Sequence, residues 1–235
     1  MSRTVDTSTL LVRGIRAGFS VPSFLVFVAM IGFGSLAKSL GLSLAATILS
    51  AAGIYGLPGQ VAMLEAYATG ASLLVILISV AMANMRFFPM AVVLMPLFDA
   101  QDRLQRWRYL IVQFMSVNTW SHIQHVAPGI PRSQRLGYFA GFAFTCFSFG
   151  VLGAAVGWLL AGSLSVALTA TLIFINPAYF IFLFCTNKNR NIIVSILLGA
   201  VLGPLFYKIS PDWGLPVCGL VAGTIGYWLS RNESE

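Results

Sequence analysis

The chain has 235 residues, of which 58% are hydrophobic and 9% are charged, and its mean hydropathy is +0.86. Soluble domains carry about 25% charged residues, so this composition excludes a soluble core and predicts an all-α polytopic membrane protein. The net charge of +7 comes from basic residues between long apolar segments. That placement follows the positive-inside rule, so nucleic acid is not expected as a partner.

Eight apolar segments are candidates for membrane-spanning helices, each of which needs about 20 residues. They cover residues 14–36, 43–69, 71–98, 109–128, 136–161, 164–186, 191–209 and 213–230. We predict seven or eight transmembrane helices in a single transporter domain over residues 1–235, with the polar residues 1–13 in the cytoplasm. Segment 43–69 either crosses or re-enters, and segment 109–128 crosses fully or only in part. Under both topologies more Lys and Arg lie on the side of the N-terminus.

Arg13 and Arg16 precede the first apolar run, an order that signal peptides share. The run from Ala17 to Ala37 exceeds the about 7 to 15 residues of a signal-peptide core and has no clear cleavage site. We therefore predict a transmembrane helix there.

Enzyme chemistry is not expected, because the chain lacks His-Glu-x-x-His, Gly-x-Ser-x-Gly and paired intramembrane carboxylates. No disulfide, metal site or cofactor is expected either, because the cysteines lie in apolar stretches without ligand-like spacing. These are Cys146, Cys185 and Cys218.

The second apolar segment is interrupted by residues 53–60, which read GIYGLPGQ. Pro58 lacks a backbone donor, and Gly56 and Gly59 relax the helix, so backbone polar groups are freed at membrane depth. Transporters use such breaks as substrate sites. A packing kink with glycines at a close helix contact is the alternative.

The third segment carries Asn84 and Arg86 near its centre, where an arginine costs about 2.5 to 3.5 kcal/mol on insertion scales. A tight turn at residues 68–71 would pair this segment with the second. Counting outward, Arg86 lies opposite position 54 and Asn84 opposite position 56, about 22 Å from the turn. We therefore predict a substrate site of Arg86, Asn84 and Gln60 with the backbone of Gly56, Pro58 and Gly59. Alternatively, Arg86 only caps the freed carbonyls.

Asn118, His122 and His125 recur at i, i+4 and i+7 on one helical face. Such a polar stripe should face the protein interior, and histidines can relay protons near neutral pH. Glu65 is the remaining candidate for proton coupling, although it lies near the turn. Hydrogen-bonded interfacial histidines and a snorkelling Glu65 are the alternatives.

Two further features concern the second half of the chain. Asn176-Pro177 is predicted to interrupt the sixth segment, as an internal inverted repeat would require. Gly150, Gly153 and Gly157 predict a close-packing face for another helix.

These motifs together resemble the AzlC family of branched-chain amino acid exporters. The resemblance is carried by Gly18, Phe19 and Pro22, by the break that ends in Gln60, by Asn84-x-Arg86, and by the glycines from Gly150 to Gly157. It implies export of valine, leucine, isoleucine and methionine across a bacterial inner membrane, driven by protons. It also implies a small AzlD-type membrane subunit as partner, and a homo-oligomer is a further option.

The chain departs from the family pattern at three places. Leu57 and Pro58 replace a run of small residues, and Phe87 stands where a histidine often follows the arginine. Residues 116–120 replace a Thr-Asp-Glu-like acidic motif. Either His122 and His125 take over the coupling, or the substrate and energetics differ. Another small organic anion as solute and a non-transporting scaffold subunit remain alternative functions.

Overall fold

The computed structural model describes residues 7–98, 107–185, 190–209 and 214–231, and the regular elements within these ranges are all helical. The all-α prediction is confirmed for this part of the chain. The helices are α1 (Thr7–Gly18), α2 (Val21–Ser39), α3 (Leu44–Ile54), α4 (Leu57–Ala68), α5 (Leu73–Asn84), α6 (Phe87–Leu94), α7 (Arg108–Gln113), α8 (Val117–Val126), α9 (Arg132–Leu160), α10 (Val166–Cys185), α11 (Arg190–Ile209) and α12 (Gly214–Arg231). The chain divides into two compact units, Met1–Ile175 and Asn176–Glu235.

Helix α9 is the longest element of the first unit. Its 29 residues extend about 43 Å, which exceeds the about 30 Å of a bilayer core. Helix α2 packs along it in the same direction, because Phe27 lies at Gly153 and Ile31 at Gly157. A Cβ on either glycine would collide with the carbonyl oxygen of its neighbour. The predicted close-packing face is thus confirmed at these two glycines, and its partner is α2.

The membrane-capable helix predicted in the first apolar segment is present as α2 (Val21–Ser39), which is long and apolar enough to cross. It starts later than predicted, because residues 14–18 belong to the separate helix α1. Ser20 between α1 and α2 is extended, with φ −134° and ψ 163°. Pro22 occupies the first turn of α2, where its missing N–H breaks no helical hydrogen bond. Helix α1 starts at Thr7 and packs on α9 through Leu11 and Gly141, while the cytoplasmic location of residues 1–13 stays a prediction.

Two clusters of buried side chains lie along α9. The cluster beside its first half, here called the N-half core, comprises Leu94, Phe98, Met115, Ile123, Ile130, Leu136, Tyr138, Phe139 and Ala143. The C-half core comprises Met30, Phe33, Ala37, Ala51, Leu64 and Ala154. A segment whose residues belong to one of these cores therefore lies beside that half of α9.

Helices α3 and α4 fold back on each other as a hairpin. Tyr55 between them is left-handed with φ 38°, and Gly56 is extended with φ −158°. Beyond this turn the side-chain NH2 of Gln60 donates to the Ala51 carbonyl at 3.4 Å. Leu64 joins Ala51 in the C-half core. Residues 43–69 therefore have the geometry of a re-entrant hairpin, one of the two topologies that the sequence allows.

Helices α5 and α6 form one bent segment that connects the two halves of α9. The predicted tight turn before α5 is present, with Gly70 at φ 71°. The axis bends by 49° at the break between Asn84 and Phe87. Beyond it, Leu94 and Phe98 enter the N-half core. The bent pair therefore passes from the turn beside α4 to the opposite half of α9.

Residues 109–128 form two short helices, α7 and α8, and not one continuous helix, a division that suits the alternative in which this segment crosses only in part. Ser116 begins α8 with a capping box, in which its hydroxyl accepts from the Thr119 N–H and the Thr119 hydroxyl accepts from the Ser116 N–H. Such a box fixes a helix start, so α7 ends before it. Ile111 of α7 and Ile123 of α8 pack in or against the N-half core. This pair also stays within one half of α9.

The break predicted at Asn176-Pro177 is wrong, because α10 continues through Pro177. A single proline removes one hydrogen bond and can be accommodated inside an apolar helix. The inverted repeat loses this support and stays a prediction. In the first unit, α10 is joined to α2 by Ser35 and Thr169, whose hydroxyls are 3.1 Å apart.

The second unit contains α11 and α12, where the Cys218 thiol donates to the Gly199 carbonyl at 3.7 Å. Within the described residues, α2 and α9 are long and apolar enough to cross a membrane, and α5 with α6 adds a third crossing if counted as one. The total of seven or eight crossings stays a prediction.

Candidate functional site

Four helix breaks of the first unit lie at one level, beside the middle of α9. Gly18 before the first break contacts Thr145. The rings of Tyr55 at the second break and Phe114 at the third both pack edge-on against Phe147, with centroids 5.1 and 4.8 Å away. The α5–α6 break joins them through Asn84, which lies against Gly56. Broken helices thus converge halfway along a membrane-length helix.

The end of α3 is covered by side-chain amides from three other helices. Gln60 of α4 donates to the Ala51 carbonyl at 3.4 Å, and Asn84 of α5 donates to the Ile54 carbonyl at 3.5 Å. Gln113 of α7 donates to the Gly53 carbonyl at 3.4 Å. These carbonyls belong to the last turn of α3, which lacks helical partners. Amides therefore take the capping role that the sequence analysis offered to Arg86.

The unwound backbone is shorter than predicted, because only Tyr55 and Gly56 lie outside helices. Pro58 sits in the first turn of α4 and breaks nothing. Gly56 and Gly59 admit the Asn84 side chain, since an added Cβ would come within 2.6 and 2.5 Å of its amide atoms. The predicted depth match between Asn84 and position 56 is thereby confirmed.

Arg86 lies at the same break but makes no hydrogen bond to α3. Its side chain is exposed, and its guanidinium carbon is 5.2 Å from the centre of the Phe87 ring. Within the described part of the chain, no hydrogen bond or ion pair holds it. The structure therefore brings together Asn84, Gln60, Gly56 and Gly59, and places Arg86 beside them as an unpaired cation.

A polar cluster, which we call the central junction, joins the first turns of α2 and α8 to the middle of α9. The Asn118 side chain donates to the Pro22 carbonyl at 3.4 Å. The Ser23 hydroxyl lies 2.9 Å from the Cys146 thiol, and the buried Tyr55 side chain lies near Cys146 and Ser116. The central junction is defined as Ser23, Tyr55, Ser116, Asn118 and Cys146 together with Ser20, the N-cap residue of α2.

Sequence reasoning missed most of this junction. Tyr55 carried one available signal, as a hydroxyl-bearing aromatic inside a glycine-rich break. It is also the one non-glycine residue with positive φ among the described residues, a conformation that is uncommon and often functional. Ser23 and Cys146 carried no signal, because only folding brings positions so far apart in sequence together.

Buried polar atoms without partners concentrate at this level. Five of the six such side-chain atoms in the described residues lie at the breaks: Ser20 Oγ, the Tyr55 hydroxyl, Gln60 Oε1, Asn84 Oδ1 and Asn118 Oδ1. An unpaired buried polar atom costs about 1 to 3 kcal/mol. Buried polar atoms in native proteins are otherwise paired with protein or with ordered water, so this level of α9 is the candidate site.

The predicted polar stripe on α8 leads away from the central junction. Asn118 is buried within the junction, His122 is half-buried and His125 is exposed. His122 Nε2 lies 2.9 Å from the Tyr138 hydroxyl, and its ring stacks on Phe142 with centroids 4.0 Å apart. Glu65 is exposed in α4 next to the tight turn, away from the breaks.

The family model described as AzlC protein matches residues 23–164. That range covers three of the four breaks, the α3–α4 hairpin and the part of α9 beside them. No curated protein matches the chain, and no solved structure does. The family match and the apolar helices together identify a membrane protein of a transport family.

Proposed function

Because this chain belongs to the AzlC family, we propose that it is a secondary transporter that exports branched-chain amino acids such as valine, leucine and isoleucine. It would act in the bacterial inner membrane as the large subunit of a two-component exporter. An AzlD-type small membrane protein would be its partner. The observation that carries the proposal is the convergence of four helix breaks, with unpaired polar atoms, beside the middle of α9.

Physical chemistry favours a substrate site at this level. Inside a membrane, non-helical backbone is tolerated only against protein or a water-filled cavity. The unpaired amide oxygens of Gln60, Asn84 and Asn118 are acceptors, which suit the ammonium of an amino acid. Phe147 and Phe87 beside the breaks offer apolar surface for an aliphatic side chain.

Arg86 would meet the substrate carboxylate on its way to the breaks. Among the described residues the guanidinium of Arg86 has no ion pair and is free to attract an anion, and its charge suits carboxylate binding. Gln60 and Asn84 would hold the α3–α4 hairpin in place through their donated hydrogen bonds. The predicted site residues would thus have two roles: Arg86 attracts the substrate carboxylate, and the amides of Gln60 and Asn84 hold the α3–α4 hairpin.

Proton coupling would run along α8. Asn118 belongs to the central junction, and His122 with Tyr138 forms a hydrogen-bonded pair one turn further on. His125 continues this face to the exposed end of the helix. Glu65 is the one carboxylate side chain within the described residues, and its distance from the breaks favours the histidines as the relay.

Charge placement supports a cytoplasmic N-terminus. The end of α9 that begins at Arg132 lies beside α1 with its Arg13 and Arg16. At the opposite end, Lys38 lies over Trp158, 4.3 Å from the ring centre. More basic residues at the first end favour that end inside.

The proposal is tested by leucine efflux from preloaded cells that carry the chain with its co-encoded small subunit. We expect efflux above cells without the chain, and at least a tenfold loss of apparent leucine affinity in Arg86→Ala with a smaller loss in Arg86→Lys. Normal export by an inserted Arg86→Ala protein would remove Arg86 from the site. Efflux of other organic anions but not of leucine would identify an organic anion as the substrate in place of branched-chain amino acids. Absence of any transport would favour the non-transporting scaffold subunit.

A further inference from the structure

We propose that the central junction binds the substrate carboxylate between the first turns of α2 and α8, with the hydroxyls of Tyr55 and Ser20 as donors. This inference rests on the proposed function for the identity of the substrate. It assigns the carboxylate to groups outside the site predicted from the sequence.

The start of α2 offers unsatisfied donors. Ser20 occupies the N-cap position, yet its hydroxyl makes no capping bond and has no other partner. The first N–H groups of any helix lack helical acceptors and carry the positive end of the helix dipole. This α2 turn is linked to α8 by the bond from Asn118 to the Pro22 carbonyl at 3.4 Å. Two helix starts therefore face the same small region.

The C-terminal end of α3, which carries the negative end of its helix dipole, already has hydrogen-bond partners. The last carbonyls of α3 accept hydrogen bonds from Gln60, Asn84 and Gln113. By contrast, no side chain caps the start of α2, whereas Ser116 and Thr119 already cap the start of α8. The unused donors therefore lie at the start of α2, and helix starts of this kind bind anions.

Tyr55 supplies the independent observation that points to a ligand. Its side chain is 7% exposed, and its hydroxyl has no hydrogen-bond partner. That hydroxyl lies near Ser116 at the start of α8 and near Cys146, which is 2.9 Å from Ser23 in the first turn of α2. It is therefore positioned to donate to a group held between the two helix starts.

The neutral character of the junction favours an amino acid over a simple anion. Its six members carry no Lys, Arg, Asp or Glu side chain, and burying a net charge without a counter-charge is costly. A zwitterion brings its own counter-charge. Asn118 is 5% exposed and retains an unpaired Oδ1 in the same junction, which can accept from the ammonium.

The experiment measures ligand-induced rises in unfolding temperature for the purified full chain, since a ligand that binds the folded state stabilises it by mass action. The ligands are leucine against leucinamide and isovalerate against isovaleramide. Within each pair the second compound carries a carboxamide in place of the carboxylate. The variants are Tyr55→Phe and Ser20→Ala, and the matched control is Tyr207→Phe, which alters an exposed tyrosine of α11.

We expect the wild type and Tyr207→Phe to bind leucine about tenfold or more tightly than leucinamide. Tyr55→Phe and Ser20→Ala should reduce that ratio severalfold while the ligand-free proteins still unfold cooperatively. Ser20→Ala keeps the test decisive if Tyr55→Phe disturbs the hairpin.

The remaining outcomes separate the two proposals. Equal binding of leucine and leucinamide by the wild type, or an unchanged ratio in both variants, overturns the carboxylate site and leaves leucine as substrate. A preference for isovalerate over isovaleramide without leucine binding supports the carboxylate site and overturns the amino-acid substrate. Failure of every acid to bind overturns both.

Discussion

The side-chain amide of Asn84 donates to the backbone carbonyl of Ile54 at 3.5 Å, and this bond joins the break of one helix pair to the break of another. Asn84 ends α5, and Ile54 ends α3. Two interruptions that are 30 residues apart in sequence therefore stabilise each other. The same amide fills the space that Gly56 and Gly59 leave open on α4.

Removing a buried amide cap should destabilise the protein more than removing an exposed one. Gln60 is fully buried and Gln113 is exposed, although both donate to carbonyls of α3 at 3.4 Å. We expect Gln60→Ala to lower the free energy of unfolding by about 1 to 3 kcal/mol and Gln113→Ala by about 1 kcal/mol or less, because water can replace the exposed partner. Thermal unfolding in detergent measures both, and equal losses would contradict the burial argument.

Three neighbouring glycines should respond differently to alanine. A Cβ on Gly59 would come within 2.5 Å of the Asn84 amide nitrogen, whereas a Cβ on Gly53 would meet nothing within 4 Å. Gly59→Ala should therefore displace Asn84 and reduce export severalfold, as should Gly56→Ala. Gly53→Ala should leave export near the wild-type rate and add up to about 1 kcal/mol of stability. Leucine efflux and thermal unfolding check the series; loss of export in Gly53→Ala would show that the hairpin is sensitive to any added methyl group.

The contact between α2 and α9 should not tolerate an added methyl group. A Cβ on Gly157 would collide with the backbone of Ile31, and backbone cannot move aside as a long side chain can. We expect Gly157→Ala to destabilise the protein by about 1 to 3 kcal/mol. Gly219→Ala in α12 is the control, because nothing lies within 4 Å of its Cβ position. Matching unfolding temperatures for the two variants would mean that the helices can separate without loss.

Replacement of His122 should separate transport from its driving force. His122 and Tyr138 share a hydrogen bond of 2.9 Å, so His122→Gln removes the titrating member and Tyr138→Phe removes its partner. We expect both variants to lose most export driven by a pH gradient in proteoliposomes while leucine exchange at equal pH persists. Tyr207→Phe should behave like the wild type. Undiminished gradient-driven export by His122→Gln would remove this histidine from the coupling pathway.

The sequence was sufficient for features that depend on neighbours along the chain. The turn at Gly70 and the level of Asn84 followed from counting residues outward from one tight turn. The glycines at 153 and 157 indicated a backbone contact because small residues at that spacing have few other uses in a membrane helix. Here local chemistry and fold agree.

Proline and capping residues were harder to interpret. Pro177 resembles a helix breaker in the sequence, but α10 continues through it. Ser116 gives no signal in the hydrophobicity pattern, but its capping box starts α8 and so divides a continuous apolar segment into two helices. A proline's effect depends on what packs around the freed carbonyl. The central junction was also out of reach, since Ser23 and Cys146 are 123 residues apart and carry no pattern that links them.

The amide caps on α3 have a consequence for how the hairpin responds to its surroundings. Carboxamides do not titrate, and hydrogen bonds between neutral groups are little screened by salt. The tip at Tyr55 and Gly56 is therefore held with the same strength on the acidic and the alkaline side of a pH gradient. Any response to protons must therefore begin at titratable groups outside these amide hydrogen bonds, which hold the α3–α4 hairpin equally at every pH.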